Sequence, residues 1–383
     1  MAEIEDFLKL RAGQGLLRAL RPAAWRKPGV IRFGRREYID FSSNDYLGLS
    51  GHPKLKQSIR EAVDRFGTAN PASRLMSGDL ELYHQLEEKI ACFKNKEAGL
   101  LFNSGYQANT GIISALYGRG DCIFCDRLAH ASLMDGIILS RAKFWRFTHN
   151  DPNHLEAILK KQRSRFKNAL IVTESVFSMD GDKAPLKELA QLKERYDCAI
   201  FVDEAHATGI FGRNGSGLVE EAGLTMQIDF IMGTFSKALA GFGAYLAASK
   251  KIVDYLVNTC RSFIYSTALP PAVIACNLQS LALIKEEPQR RKRLLRNAAY
   301  FRAGLKERGL HARGDTQIVP LIIGDSAKAV EFSRKLEEKG YWVPAVRPPT
   351  VPATEARLRF SLTACHGKEI LTRLIEDICN IGL

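Results

Sequence analysis

Between about residues 98 and 248 the chain alternates continuous apolar runs with segments whose apolar residues recur at helical spacing. The runs LIVTE (170–174), AIFVDE (199–204), DFIMG (229–233) and AYLAAS (244–249) show no polar alternation, the pattern of strands covered on both faces. Strand, helix, strand, helix in this order predicts a mostly parallel, doubly wound α/β sheet. Upstream, IRFGRREYIDF (31–41) predicts a short hairpin turning near Gly34 and Arg35. Helices are expected over 53–66 and from near Asp79, and the first twenty residues read as an amphipathic helix. After 250 the pattern changes: helix over 250–263, the loop IYSTALPP (264–271), then mostly helix to 309. QIVPLII (317–323), a helix over 326–339, YWVPAV (341–346), ARLRFSL (356–362) and a helix over 366–379 make a smaller α/β unit. The expected division is an N-terminal helix and hairpin (1–40), a large domain (41–287) and a small C-terminal domain (288–383).

In sheets of this kind, ligands sit beyond the carboxyl ends of the strands. Those ends carry Ser104-Gly105-Tyr106, His130, Glu174 with Ser178, Asp203 with His206, and Thr234 with Lys237. Each is ambiguous alone. Lys237 could be a surface lysine at a strand end, Ser104 a helix cap, and His130 a cap or a packed polar group. On one rim they supply a carboxylate, a lysine, a flat ring, and a strand–turn–helix whose amides and dipole suit a phosphate. That is the apparatus pyridoxal 5′-phosphate needs: an amine for its aldehyde, a carboxylate for its ring nitrogen, a stacking ring and a phosphate cradle.

Composition changes this picture little. A chain of 383 residues, 46% hydrophobic and 25% charged, is long enough for a large core and two domains. No apolar run approaches 18 residues, and the N-terminus lacks a signal peptide's core, so no membrane is expected and the cytoplasm is the default compartment. The formal net charge of +13 is spread along the chain. Its densest run, Arg290 to Arg296, reads as the solvated face of a helix, and no nucleic-acid signature surrounds it. Of eight cysteines only Cys122 and Cys125 form a CxxC, set in a buried strand without nearby histidines. They read as core residues, and no metal site is expected.

The motifs FSSNDYLGLS, SRLMSG, NSGYQAN, AHASL, VDEAHATG and TFSKALAGFGA, in this order, resemble those of the α-oxoamine synthases, fold-type I pyridoxal phosphate enzymes. The resemblance spans residues 18 to 366. It implies Lys237 as the Schiff-base lysine, Asp203 as partner of the pyridine nitrogen, His206 on the cofactor's phenolate oxygen and His130 stacked on its ring. Gly105, Tyr106, Ser178 and Thr234 would lie around the phosphate and ring. Ser266 and Thr267 would reach the phosphate of a second subunit, which implies a homodimer with shared active sites, and Asn44 would lie near the substrate. RPPTVP (347–352) followed by ARLRFSLTACH resembles the members that condense L-alanine with a pimeloyl thioester, on CoA or on an acyl-carrier protein, on the way to biotin. There Thr350 would touch the acyl chain together with an N-terminal arginine, Arg18 by ungapped counting or Arg21 nearby. A glycine and acetyl-CoA branch of the family, another α-oxoamine synthase with a different acyl chain, an aminotransferase, and a basic scaffold or nucleic-acid binder that has lost catalysis are the alternatives. The positive charge would suit an anionic acyl carrier.

Overall fold

Seven strands form the central sheet of the structure, a computed structural model that describes residues 2–14 and 16–382. Met1, Gly15 and Leu383, which the expected N-terminal helix and outer domain limits include, lie outside the described residues. Across the sheet the strands run Ala98–Phe102, Ala244–Ala248, Phe230–Thr234, Ala199–Asp203, Ala169–Glu174, Cys122–Asp126 and Lys143–Phe147. Phe230–Thr234, Ala199–Asp203, Ala169–Glu174, Cys122–Asp126 and Lys143–Phe147 pair parallel; Ala244–Ala248 is antiparallel to both its neighbours. Residues 235–243 alone join Phe230–Thr234 to Ala244–Ala248, too short for a parallel crossover, which needs roughly a dozen residues.

The apolar runs are buried on both faces, as their lack of alternation predicts. Ile123, Phe124, Ile171, Val172, Ile200 and Phe201 are fully buried. Each such side chain contributes about 1.5–3 kcal/mol through lost apolar exposure. The Gly105–Leu116 and Ala131–Ser140 helices pack against the same core. They cross closely because residue 136 is glycine: a Cβ there would meet the Asn109 carbonyl oxygen at 2.7 Å. Cys125 lies in this core and Cys122 is buried on the other face of its strand; burial pushes the Cys122 thiol up to about 12 and the Cys125 thiol higher still.

The chain forms two units. The sheet belongs to the unit made of 49–178 and 183–291; the other gathers 1–48, 179–182 and 292–383. The structure thus joins the N-terminal segment to the C-terminal domain, and the chain passes between units within the Pro288–Lys306 helix. In this unit the expected hairpin appears as Val30–Phe33 and Arg36–Asp40, with Gly34 at φ 57° in its turn. Ile318–Gly324, Ala356–Ser361 and Ala345–Val346 form an antiparallel sheet. Residues 179–182 are held there by Arg357, fully buried, which donates to Asp180 Oδ1 at 2.7 Å, and by Thr316, whose hydroxyl donates to the Gly181 carbonyl at 2.8 Å. The N-terminal helix is shorter than expected, Ala2–Gly13, and its Ile4, Phe7, Leu8 and Leu10 are exposed. Glycine at 13 weakens helix continuation by about 1 kcal/mol relative to alanine. Among the described residues no helix is long and apolar enough to cross a membrane.

Candidate active site

The carboxyl ends of the parallel strands place the expected side chains together in the sheet-bearing unit. Ala199–Asp203 ends in the carboxylate of Asp203, which is 5% exposed. Its Oδ1 accepts the Ala205 N–H at 2.8 Å and its Oδ2 accepts from Asn109 Nδ2 at 2.9 Å. The turn that follows brings His206 round, with its Nε2 at 2.7 Å from Lys237 Nζ. Lys237 follows Phe230–Thr234 by three residues, as the spacing predicts. Thr234 is buried: its hydroxyl donates to the Gly243 carbonyl at 2.8 Å and accepts the Ser236 N–H at 3.1 Å. Gly243, at φ 95°, lets the backbone return so close.

Ser104 caps the Gly105–Leu116 helix, its hydroxyl accepting the Gln107 N–H at 3.1 Å. The first-turn N–H groups of a helix have no acceptor within the helix, a geometry that suits an anion. Tyr106 is half exposed and bonds Asp135 through its hydroxyl; its ring meets that of His130 edge-on at 6.4 Å. His130 caps the Ala131–Ser140 helix, its Nδ1 accepting the Ser132 N–H at 3.2 Å. Burial holds its pKa below the ordinary value, helped by Lys237 and opposed by Asp203 and Asp135. Glu174 stands beside Asp203 in strand register, and burial, reinforced by the Asp203 charge, pushes its pKa well above the usual carboxylate range. Two adjacent buried carboxyls do not both ionise.

Ser178 follows Phe177, whose ring packs edge-on against His149 at 4.4 Å. Ser266 accepts from Gln107 Nε2 at 2.6 Å, and the Thr267 carbonyl accepts from Asn103 Nδ2 at 2.8 Å, so both flank the start of the capped helix. Behind the Asp203–His206 turn lies an ion pair, Lys94 Nζ to Glu204 Oε2 at 2.7 Å, with both side chains 1% exposed. Glu204 also accepts the Val219 N–H at 2.9 Å, and Lys94 reaches Thr208 Oγ1 at 3.1 Å.

The other unit holds the remaining candidates. Arg18 Nη2 donates to Thr350 Oγ1 at 3.0 Å, and both line a cavity of ≈ 190 Å³ with Arg347. Arg21 is engaged elsewhere: it pairs with Glu337 at 2.8 Å and stacks on Phe33 and Trp342 at 4.3 and 4.9 Å. Asn44 Oδ1 accepts from the Tyr46 hydroxyl at 3.0 Å and from both terminal nitrogens of Arg359 at 3.3 Å.

Arg359, Asn109 and the Lys94–Glu204 pair escaped the sequence reading. Arg359 had a usable signal, since a charge inside the apolar rhythm of ARLRFSL is a buried charge needing a partner. Asn109 sits within NSGYQAN, one turn after the expected anion site, but nothing local marks its bond to a strand 94 positions away.

The family model for aminotransferases of class I and II matches residues 36–378. The chain is 48% identical to the 8-amino-7-oxononanoate synthase of Geotalea daltonii over 381 residues, covering 99% of this chain and 97% of that one. Among solved structures, a serine palmitoyltransferase from S. paucimobilis with a bound PLP–myriocin aldimine superposes with TM-score 0.93 at 29% identity, covering 99% of this chain and 96% of that one. The 8-amino-7-oxononanoate synthase of Francisella tularensis superposes with TM-score 0.78 at 30% identity, covering 90% of this chain and 97% of that one. The chain belongs to the class I and II aminotransferase family and, within it, to the 8-amino-7-oxononanoate synthases.

Proposed function

We propose that this chain uses pyridoxal 5′-phosphate to condense L-alanine with a pimeloyl thioester, releasing carbon dioxide and free thiol and forming 8-amino-7-oxononanoate for biotin synthesis. The observation that carries the reading is the convergence of Asp203, His206, Lys237 and His130 at the ends of neighbouring strands and the turns that follow them. These residues fit the cofactor chemically: an amine, a buried carboxylate, imidazole rings and a capped helix N-terminus lie within one unit. Lys237 would hold the aldehyde, Asp203 the proton of the ring nitrogen, His206 the phenolate oxygen, and His130 the ring face. Gly105, Tyr106, Ser178 and Thr234 would surround the phosphate and ring. Bound, the cofactor supplies an electron sink for the carbanion formed at the amino acid's Cα.

Lys237 Nζ then takes the Cα proton, and His206 Nε2, at 2.7 Å, orients that amine and shares its proton. Asp203, whose carboxylate accepts from Asn109 Nδ2 and from the Ala205 N–H, would be held in place to receive the proton of the ring nitrogen as a hydrogen bond. Asn44, whose Oδ1 accepts from Arg359, would lie near the substrate. Arg18 and Thr350, in the ≈ 190 Å³ cavity, are suited to the carboxylate end of the pimeloyl chain. A homodimer in which Ser266 and Thr267 serve the neighbouring subunit's phosphate is supported by apolar exposure beside them: Tyr265 is 73% exposed and Met76 82%. The reading places the enzyme in the cytoplasm, with CoA or an acyl-carrier protein as the anionic donor.

The test is thiol and carbon dioxide release from L-alanine with pimeloyl-CoA or the pimeloyl-carrier protein. The expected rate exceeds that of glycine with acetyl-CoA by more than about tenfold. Faster release with glycine and acetyl-CoA would overturn the substrate assignment.

A further inference from the structure

Asn109 is 1% exposed on the Gly105–Leu116 helix, and its amide nitrogen faces two acceptors: Asp203 Oδ2 and Ser132 Oγ, each at 2.9 Å. A carboxylate only accepts, so the nitrogen and not the oxygen of the amide points at Asp203, and its two hydrogens are divided between Asp203 and Ser132. Ser132 Oγ therefore accepts from Asn109, and its own proton goes to His130 Nδ1 at 2.7 Å. The backbone N–H of Ser132 aims at the same Nδ1, at 3.2 Å, with His130 as helix cap. An N–H cannot donate to a protonated nitrogen, so Nδ1 is an acceptor and the ring's proton resides on Nε2. The arrangement has a cost. Asn109 Oδ1 is buried without a partner among the described residues. Flipping the amide would give Oδ1 the Ser132 hydroxyl but would set an oxygen against Asp203. The close helix crossing at Gly136, against the Asn109 carbonyl, fixes the spacing of the chain of bonds.

We propose that Asn109 and Ser132 are positioning residues that hold His130 as its Nε2–H tautomer, so that His130 serves the reaction as a hydrogen-bond donor through Nε2 and leaves proton abstraction to Lys237. This deepens the reading above and rests on it. The charged groups facing His130 are Asp203, Lys237 and Asp135, while Glu174 takes its backbone N–H. Protonating Nδ1 would set its new hydrogen against the Ser132 N–H, so the network opposes the imidazolium in the same direction as burial and Lys237. The link from Asp203 to His130 runs through one amide and one hydroxyl, both buried, so the pyridine partner and the stacking ring are held in mutual register.

The test is a long-range nitrogen–proton spectrum of the full chain labelled with nitrogen-15 in histidine, with the His130 resonances assigned from His130→Gln. At neutral pH the expected His130 is uncharged and protonated at Nε2. Ser132→Ala removes the hydroxyl but keeps the backbone N–H on Nδ1, so the neutral ring should stay protonated at Nε2 while the protonation midpoint of His130 rises by about one unit, a tenfold gain in proton affinity. Ser132→Thr, which keeps the hydroxyl, should retain the wild-type midpoint. A wild-type ring protonated at Nδ1, or charged at neutral pH, overturns the proposal, as does an unaltered His130 in Ser132→Ala. If Ser132→Ala does not fold, the wild-type spectrum still decides. Failure of the cofactor reading would show separately, as absent visible absorption on adding pyridoxal phosphate, whatever the tautomer.

Discussion

Lys237 Nζ lies 2.7 Å from His206 Nε2, so an imidazole is in place to share the proton of that amine. Lys237→Ala should lower turnover by roughly 10²–10⁴-fold and abolish covalent retention of the cofactor. The second effect is read as loss of cofactor absorption after denaturation and gel filtration of borohydride-treated protein. A variant that retained covalently bound cofactor would show that another amine carries it.

Arg18 and Arg21 are three positions apart but engaged with different partners. Arg18→Ala should raise the KM for the pimeloyl thioester by about 10–100-fold, the loss of a charge-assisted bond of about 1.5–3 kcal/mol, with little change in melting temperature. Arg21→Ala should do the reverse. Its salt bridge to Glu337 is partly exposed and its stacking on Phe33 and Trp342 is local, so a stability loss of about 1 kcal/mol at unchanged KM is expected. Steady-state kinetics and thermal melts on both variants check this; equal KM effects would mean that neither pairing distinguishes the two.

The buried Lys94–Glu204 pair leaves little tolerance for removing one partner. Lys94→Met should destabilise by about 3–5 kcal/mol, because Glu204 is then a buried charge without compensation. Lys94→Met combined with Glu204→Leu should recover part of that loss. Denaturant unfolding of the three proteins decides it, and equal losses in the single and double variants would rule out charge burial as the cause.

These residues also mark where the sequence stops speaking. The strands, the rim of polar strand ends and the Lys237–Asp203–His206–His130 set follow from apolar runs and short-range spacing, because each side chain is placed by the strand beside it. The antiparallel Ala244–Ala248 strand was hidden for a different reason: its apolar run looks the same in either direction, and only the short 235–243 turn betrays it. Arg359 with Asn44, Lys94 with Glu204, and Asn109 with Asp203 join distant parts of the chain. No local periodicity reports such a partner. The pairing of Arg21 with a glutamate 316 positions away is hidden in the same way.

His366 offers a pH dependence. Its Nδ1 accepts the Thr363 N–H at 3.1 Å and its Nε2 faces the Asp40 carbonyl at 3.1 Å, an arrangement made for the neutral ring. Burial lowers its pKa to about 4. Since the folded value lies below the unfolded value of about 6.5, the stabilisation is complete above that pH and is lost as pH falls through 4, for about 3 kcal/mol. Melting temperatures from pH 7 to 4 should fall more steeply for the wild type than for His366→Gln; parallel curves would contradict it.

The cysteines should react in two classes. Cys92 and Cys365 are exposed, while Cys122 and Cys125 are buried with thiols pushed up. Mild alkylation at pH 8 followed by peptide mapping should modify the first two and spare the CxxC pair. Rapid labelling of Cys122 or Cys125 in the native protein would show that the strand opens.

Residues 179–182 belong to one unit while the chain on either side belongs to the other, and Arg357 is neutralised in part by Asp180 from that short stretch. Neither unit is therefore encoded by an uninterrupted stretch of the gene. A fragment ending before residue 292 would carry Asp180 away from its guanidinium, and one beginning there would leave Arg357 short of a counter-charge. Truncation near residue 292 should therefore destabilise both halves, whereas circular permutation that keeps 178 joined to 183 through the tetrapeptide leaves both units whole.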